Sequence, residues 1–311
     1  MAMRVAIVGA GMAGLACGEA LAAAGIRPAI FDKGRRPSGR LASRLIVVDG
    51  QAYAFDYGAQ YMTARVPAFV ERLRTWARAG IAAPWPAAGA DAWVGVPSMD
   101  APLVAMAAPL GVRWSAQVTA IERGAGGWCL HMGDEVEGPF DELVLALPAE
   151  QTALLAATAG SPLAALAQRH ASRPCWTALI AFDRSIGAPP LLDGDGVIDR
   201  AVRNTAKPGR AAGEAWTVHA DADWSARNLE APREEIARRL SAALAARIEG
   251  LPVPVHASAH RWRYARSAAA GLGHWRDEAA GLTACGDWLI APRVESAWLS
   301  GTGAAARLLG D

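Results

Sequence analysis

Arg4-Val5-Ala6-Ile7-Val8-Gly9-Ala10-Gly11-Met12-Ala13-Gly14-Leu15-Ala16-Cys17-Gly18-Glu19-Ala20-Leu21 decides the fold. Residues 4–8 form a short apolar run rich in β-branched side chains, which predicts a strand. Residues 15–21 favour a helix. Between them lies Gly-x-Gly-x-x-Gly, in the strand–turn–helix setting that gives the pattern meaning. Gly9 permits the tight turn, Gly11 lets backbone approach a pyrophosphate, and Gly14 lets the helix pack closely on the strand. The free N–H groups at the helix start face the phosphate charge. The next apolar run, 29–31, ends at Asp32, where a carboxylate accepts hydrogen bonds from ribose hydroxyls. This unit predicts a dinucleotide site and leaves NAD and FAD both open.

The whole chain narrows the classes. Its 311 residues suffice for one large or two interlocked domains with a substantial core. A formal charge of +1 gives no electrostatic case for nucleic acid or a membrane surface. Every apolar stretch is broken before the ~20 residues a membrane helix needs. Cys17, Cys129, Cys175 and Cys285 are scattered, which suits neither a disulfide framework nor a zinc site and points to a reducing, cytoplasmic setting. The first strand begins almost at once, so no signal peptide is expected. Lys33 and Lys207 are the only lysines. Tryptophan is abundant, and most of it is expected in the core.

Beyond Asp32, residues 33–44 are basic and turn-rich, a loop. Strands are expected at 45–48 and 53–57, the latter running into Gly58. A helix over 66–79 places Phe69, Leu73 and Trp76 on one face. Residues 82–97 read as an irregular Pro/Gly/Ala connection. A helix is expected from Ser98 to near Gly111. The period then falls to two, giving strands at 112–114, 117–123 and 128–132 and a buried strand over 141–148. Helices over 149–170, broken at Ser161-Pro162, lead to strands at 175–182, 196–202, 214–220 and 256–265, with an amphipathic helix over 232–248 between the last two. A strand at 281–285 and a helix over 296–309 close the chain. The expected fold class is α/β. Residues 1–60, 98–150 and 275–311 would form a discontinuous Rossmann-type dinucleotide-binding domain, and 61–97 and 151–274 an interleaved substrate domain on an antiparallel sheet.

Four stretches together carry a resemblance: 9–14 with Gly18 and Asp32; Arg36-Pro37-Ser38-Gly39-Arg40-Leu41-Ala42-Ser43-Arg44; Phe55-Asp56-Tyr57-Gly58-Ala59-Gln60-Tyr61; and Ala284-Cys285-Gly286-Asp287 with Arg293-Val294-Glu295-Ser296-Ala297. Arg203-Asn204, Lys207-Pro208-Gly209-Arg210, Trp216, Trp224-Ser225 and 261–265 match more loosely. The chain resembles renalase and its bacterial homologues, flavoproteins of the amine-oxidase superfamily with a two-dinucleotide-binding fold. It departs from many of them at Ser38, where they carry a second glycine.

The resemblance implies FAD, held by Gly9, Ala10, Gly11, Met12, Ala13, Gly14, Asp32 and Lys33. Arg40 and Leu41 would lie against the pyrophosphate, and Val118 would offer backbone to the adenine. Gly58, Ala59 and Gln60 would lie near the ring. Gly286 and Asp287 would lie near the ribityl and pyrophosphate groups, with Val294, Glu295 and Ala297 at a helix start facing the pyrimidine edge. Gln60, Tyr61 and Trp262 are the catalytic-site candidates; for Trp262 and for His260 the plain structural role stays open. No cysteine lies beyond Cys285 and no histidine before His131, so the tethering positions of some relatives are empty and the FAD is expected to be non-covalent. No metal is expected. The implied reaction is oxidation of dihydro-NAD(P) isomers, with molecular oxygen as acceptor and hydrogen peroxide as product. The alternatives are a flavin-containing amine oxidase, a non-catalytic dinucleotide-binding protein and a flavin-free NAD dehydrogenase. Oligomeric state is left open.

Overall fold

In the computed structural model, which describes residues 3–310, the chain divides into two compact units. One runs up to Gly39 and resumes over Leu103–Ser172 and from Ser267 onward. The other comprises Arg40–Pro102 and Arg173–Arg266.

The first unit is built on a five-stranded sheet in the order Trp275–Asp277, Leu282–Ala284, Glu142–Leu145, Val5–Val8, Ala29–Phe31. Four strands are parallel and only the Trp275–Asp277 edge is antiparallel. Val5–Val8 is buried along its whole length, which explains its unbroken apolar composition. Helix Met12–Ala23 packs on the last helix, Val294–Leu309. Small residues bring the two backbones together: a Cβ on Gly301 would lie 2.1 Å from the Ala13 carbonyl oxygen. That contact offsets the ~1 kcal/mol a mid-helix glycine costs. A meander of Ala120–Gly124, Gly127–Met132 and Glu135–Phe140 shares one core with the sheet, Trp128, Trp288 and the helices Ala149–Thr158 and Leu163–Gln168.

The second unit is built on an antiparallel sheet ordered Leu191–Asp195, Ile198–Arg203, Glu214–Ala220, Arg173–Phe182, His256–Arg266. Alternation along the strands gives it two different faces. Trp176, Ala178, Ile180, Trp216 and Val218 form a core with Ile236, Leu240 and Leu244 of helix Arg233–Ala245. Each large side chain so buried contributes about 1.5–3 kcal/mol. On the other face Leu179, Ala181 and Ala215 meet Tyr53 and Phe55 of the hairpin Ser43–Val48/Gln51–Asp56. Its turn residues Asp49 and Gly50 both have positive φ (49° and 81°), as a two-residue hairpin matched to the strand twist requires.

Several elements differ from expectation. Residues 82–97 contain two strands, Ala82–Pro84 and Ala92–Gly95, which pair with each other, and Ala92–Gly95 pairs on its other edge with Met62–Thr63. Their alanine and proline content hides them, because register is set there by neighbouring strands. Glu135–Phe140, Leu191–Asp195 and Trp275–Asp277 are strands whose charged residues conceal the period. Residues 112–114 form no strand beyond a bridge from Arg113 to Phe31. The helix expected from Ser98 to Gly111 spans Ala101–Ala107, and the last helix begins at Val294 rather than 296. Boundaries expected at 60, 98, 150 and 275 fall instead after 39, 102, 172 and 266. The 43–56 hairpin packs on the antiparallel sheet, and helices 149–168 pack in the first unit's core.

Candidate functional site

The first unit holds Gly9, Ala10, Gly11, Met12, Ala13, Gly14, Asp32, Lys33, Val118, Gly286, Asp287, Val294, Glu295 and Ala297. Gly9 has φ 106°, and its added Cβ would lie 2.4 Å from the Ala146 carbonyl oxygen. A Cβ at Gly14 would lie 1.9 Å from the Gly9 oxygen, so both positions exclude side chains. Gly11 differs: a Cβ there would meet nothing within 4 Å. It is the N-cap of the following helix, with no side chain capping the first turn. The Asp32 carboxylate accepts from Ala10 N (2.7 Å) and Gly34 N (2.6 Å), tying the glycine loop to the end of the second strand. At the last helix, Arg293 is an N-cap without a side-chain hydrogen bond to the first turn, and the buried Ser296 Oγ and Arg293 Nε have no hydrogen-bond partner among the described residues. Arg293 also pairs with Glu295 at 3.0 Å.

The second unit holds Arg40, Leu41, Gly58, Ala59, Gln60, Tyr61 and Trp262. Gly58 is held tightly, since a Cβ there would lie 2.1 Å from the Arg40 oxygen. Beneath this turn lies a buried charge cluster that sequence reading did not assign. Asp56, 1% exposed, accepts from Ser43 Oγ (2.7 Å) and Met99 N (3.0 Å) on Oδ1, and from Lys207 Nζ (2.9 Å) and Arg210 (2.7 and 3.1 Å) on Oδ2. Its backbone N–H donates to Asn204, and its carbonyl accepts from Thr217 Oγ1 and Gln60 Nε2. Burial alone would raise the Asp56 carboxyl; Lys207 and Arg210 hold it at about 2. Burial pulls the Lys207 ammonium down to about 8, against the attraction of Asp56.

Gln60 is therefore buried in this network, while Tyr61 and Trp262 lie at the polar face of the sheet. Arg200, His219, Thr177 and His260 face one another across four neighbouring strands, and Trp262 lies opposite Cys175. Residues directly opposite in antiparallel strands share a face. Trp262 stacks on Tyr57 (centroids 5.5 Å, 23° between planes) and donates from Nε1 to the Tyr57 carbonyl at 2.8 Å. His260 sits edge-on to both rings, at 4.5 Å and 5.0 Å. The Arg44 guanidinium lies over the Tyr57 ring, and that of Arg200 over Tyr61, whose hydroxyl it also reaches. Burial, then Arg266, lowers His219 to about 4; burial, then Arg44, does the same for His260. Both imidazoles are neutral at pH 7. His219 left no sequence signal beyond its place in an alternating strand.

A model of an NAD(P)-binding Rossmann-like domain matches residues 7–73, and a model of flavin containing amine oxidoreductases matches 86–309. The chain belongs to the flavin containing amine oxidoreductase family. A member of this family is an FAD-dependent oxidoreductase, and FAD is the cofactor. Solved structures share the fold across the chain. Cyclohexylamine oxidase from Brevibacterium oxydans aligns over 100% of this chain and 99% of its own at TM-score 0.74 and 14% identity. A protoporphyrinogen oxidase homologue from Exiguobacterium aligns over 100% of both chains at 0.74 and 12%. A reduced UDP-galactopyranose mutase aligns over 100% and 94% at 0.71 and 11%. At these identities the likeness is one of fold.

The first unit's residues fit FAD chemically. Open space at Gly11 beside uncapped helix N–H groups suits a pyrophosphate, whose charge the helix end favours. Asp32 keeps lone pairs for ribose hydroxyls after its two backbone bonds. The last helix presents a second such end, with Ser296 Oγ awaiting a partner.

Proposed function

We propose that this flavin-dependent oxidoreductase is an oxidase of dihydro-NAD(P) isomers. The substrate loses a hydride and leaves as NAD(P)⁺, and oxygen takes two electrons and two protons to become hydrogen peroxide. FAD, bound without a covalent link through Gly9–Gly14, Asp32, Gly286–Asp287 and the start of the last helix, supplies the two-electron acceptor. The first unit thus serves as the FAD domain and the second as the substrate domain.

The observation that carries this reading is the character of the second unit's polar face. It offers aromatic surface at Trp262, one face of which stacks on Tyr57, together with the guanidinium groups of Arg44 and Arg200. The nearby carboxylates are committed: Asp56 to Lys207 and Arg210, and Asp199 to Arg266. An ammonium substrate would meet like charge, with the Tyr57 and Tyr61 rings already engaged by arginine. A planar ring joined to a pyrophosphate meets stacking surface and bidentate donors. Hydride removal from such a ring leaves no proton for a side chain to take, which suits neutral His219 and His260.

A flavin-containing amine oxidase is the second reading. The family match favours it. Anaerobic stopped-flow reduction separates the two. Rapid bleaching by dihydronicotinamide isomers is expected; bleaching by amines alone would reject the proposal. A bound flavin that neither donor reduces would favour a binding role. The flavin is expected in the supernatant after acid precipitation.

A further inference from the structure

Lys207 stands out because the carboxylate it pairs with does not need it. Arg210 already reaches Asp56 Oδ2 through two nitrogens, and it also donates to the carbonyls of Gly95, Pro97 and Pro208. Two cations on one carboxylate leave net positive charge in a site where Lys207 and Arg210 side chains are 0% exposed. Burying that second charge is unfavourable unless its hydrogen bonds do something else.

What Lys207 adds is a bond to Gln60 Oε1 at 3.0 Å and one to Asn204 Oδ1 at 3.2 Å. An ammonium only donates, so Gln60 must turn its oxygen toward Lys207 and its nitrogen away. That nitrogen then donates to the carbonyls of Asp56 (2.6 Å) and Gly58 (3.0 Å) and faces His219 Nε2 at 3.4 Å. An amide nitrogen has no lone pair to offer, so His219 Nε2 accepts and its proton resides on Nδ1.

We propose that Lys207 is a positioning residue for the polar face. It anchors the oxygen of the Gln60 amide, whose nitrogen the Asp56 and Gly58 carbonyls hold, and through Gln60 it bears on His219 and on the 57–61 turn that carries Tyr57 and Tyr61. The catalytic consequence rests on the function proposed above; the link from Lys207 through Gln60 to His219 does not. The titratable or charged groups facing Lys207 are Asp56, Arg210 and His219, and the ring of Trp85 lies 5.5 Å from Nζ. A guanidinium keeps its proton, and Asp56 and His219 titrate far below pH 8, so a transition near 8 reports Lys207.

The test is nitrogen NMR of FAD-loaded protein labelled with ¹⁵N-histidine, comparing native, Lys207→Met and Gln60→Leu. Lys207→Met leaves the Asp56–Arg210 pair intact. It should shift the His219 nitrogen resonances, because the Gln60 amide keeps its bonds to the Asp56 and Gly58 carbonyls but loses the anchor on its oxygen; Gln60→Leu should disturb the same resonances. Flavin reduction by a dihydronicotinamide isomer at saturation should slow about 10-fold in each variant, with little change in the half-saturating concentration. The double variant should be no slower than the worse single one. The native rate should change near pH 8 and lose that change in Lys207→Met. An unaltered His219 spectrum in Lys207→Met, or losses that multiply in the double variant, overturns the proposal. Lower thermal stability with an unaltered spectrum counts as a structural role and overturns it too. If no isomer reduces the native protein, the functional reading fails and the NMR comparison alone decides the positioning role. If Lys207→Met does not fold, an unaltered His219 spectrum in Gln60→Leu overturns it instead.

Discussion

At the glycine loop the first unit works by leaving side chains out; at the turn over Asp56 the second works by putting charged ones in. Gly9 and Gly14 are packed against backbone, while Gly11 stays open, so the loop offers N–H groups and empty space. The 56–60 turn is saturated instead. The carboxylate, carbonyl and N–H of Asp56 are all bonded, by groups drawn from 43, 60, 99, 204, 207, 210 and 217. A polar ligand can be served by vacant donors at a helix end. Buried side chains must be satisfied within the chain, or each costs stability. The first arrangement is expected to fail locally when altered, the second cooperatively.

The largest expected effect tests the saturated turn. Asp56→Ala strands two buried cations and should lower unfolding free energy by about 3–5 kcal/mol. Urea denaturation checks it, and a loss under 1 kcal/mol would mean the cluster is not a cooperative unit. The contrast within the glycine loop comes next. Gly14→Ala forces a Cβ against the Gly9 oxygen and should cost about 1–3 kcal/mol, whereas Gly11→Ala should leave stability within about 0.5 kcal/mol. Gly11→Ala should nevertheless weaken FAD binding by at least ~10-fold, or ~1.4 kcal/mol. Melting curves with and without FAD, read beside the flavin-to-protein absorbance ratio, separate the two. Equal FAD retention in Gly11→Ala and native protein would refute a phosphate cradle there.

The smallest effect concerns pH. His219 and His260 titrate near 4 in the folded protein against 6.5 unperturbed. The unfolded chain then binds more protons between those values, so stability falls as pH drops from 6.5 toward 4. Asp56 contributes nothing in that window, because its stabilisation is lost only as pH falls from 3.8 toward about 2. Urea midpoints at pH 7 and 5 should therefore differ less in His219→Gln than in native protein. An unchanged difference would show that His219 is already charged when folded.

The same contrast explains what could be read from the sequence. Gly9, Gly11, Gly14 and Asp32 lie within one βαβ unit, where function is a matter of local spacing, and the parallel strands around them are plain apolar runs. Asp56 and Lys207 are brought together only by the packing of a hairpin on a distant sheet, and no local period connects them. Lys207-Pro208-Gly209-Arg210 and Asp56 were visible only as parts of a resemblance, without roles. Gln60 was expected at a reactive surface, yet its amide is committed to Lys207 and the backbone. The one available hint was compositional: an isolated lysine in an arginine-rich chain.

The contact between Gly301 and Ala13 has a consequence for synthesis. Helix 12–23 cannot gain its packing partner until residues 294–309 have left the ribosome. Every strand of the antiparallel unit is complete by Arg266, so its core can close while the opening βαβ segment still waits. Translation order thus favours the inserted unit folding first. A chain stopped short of residue 294 would leave helix 12–23 without its partner however intact its glycine motif.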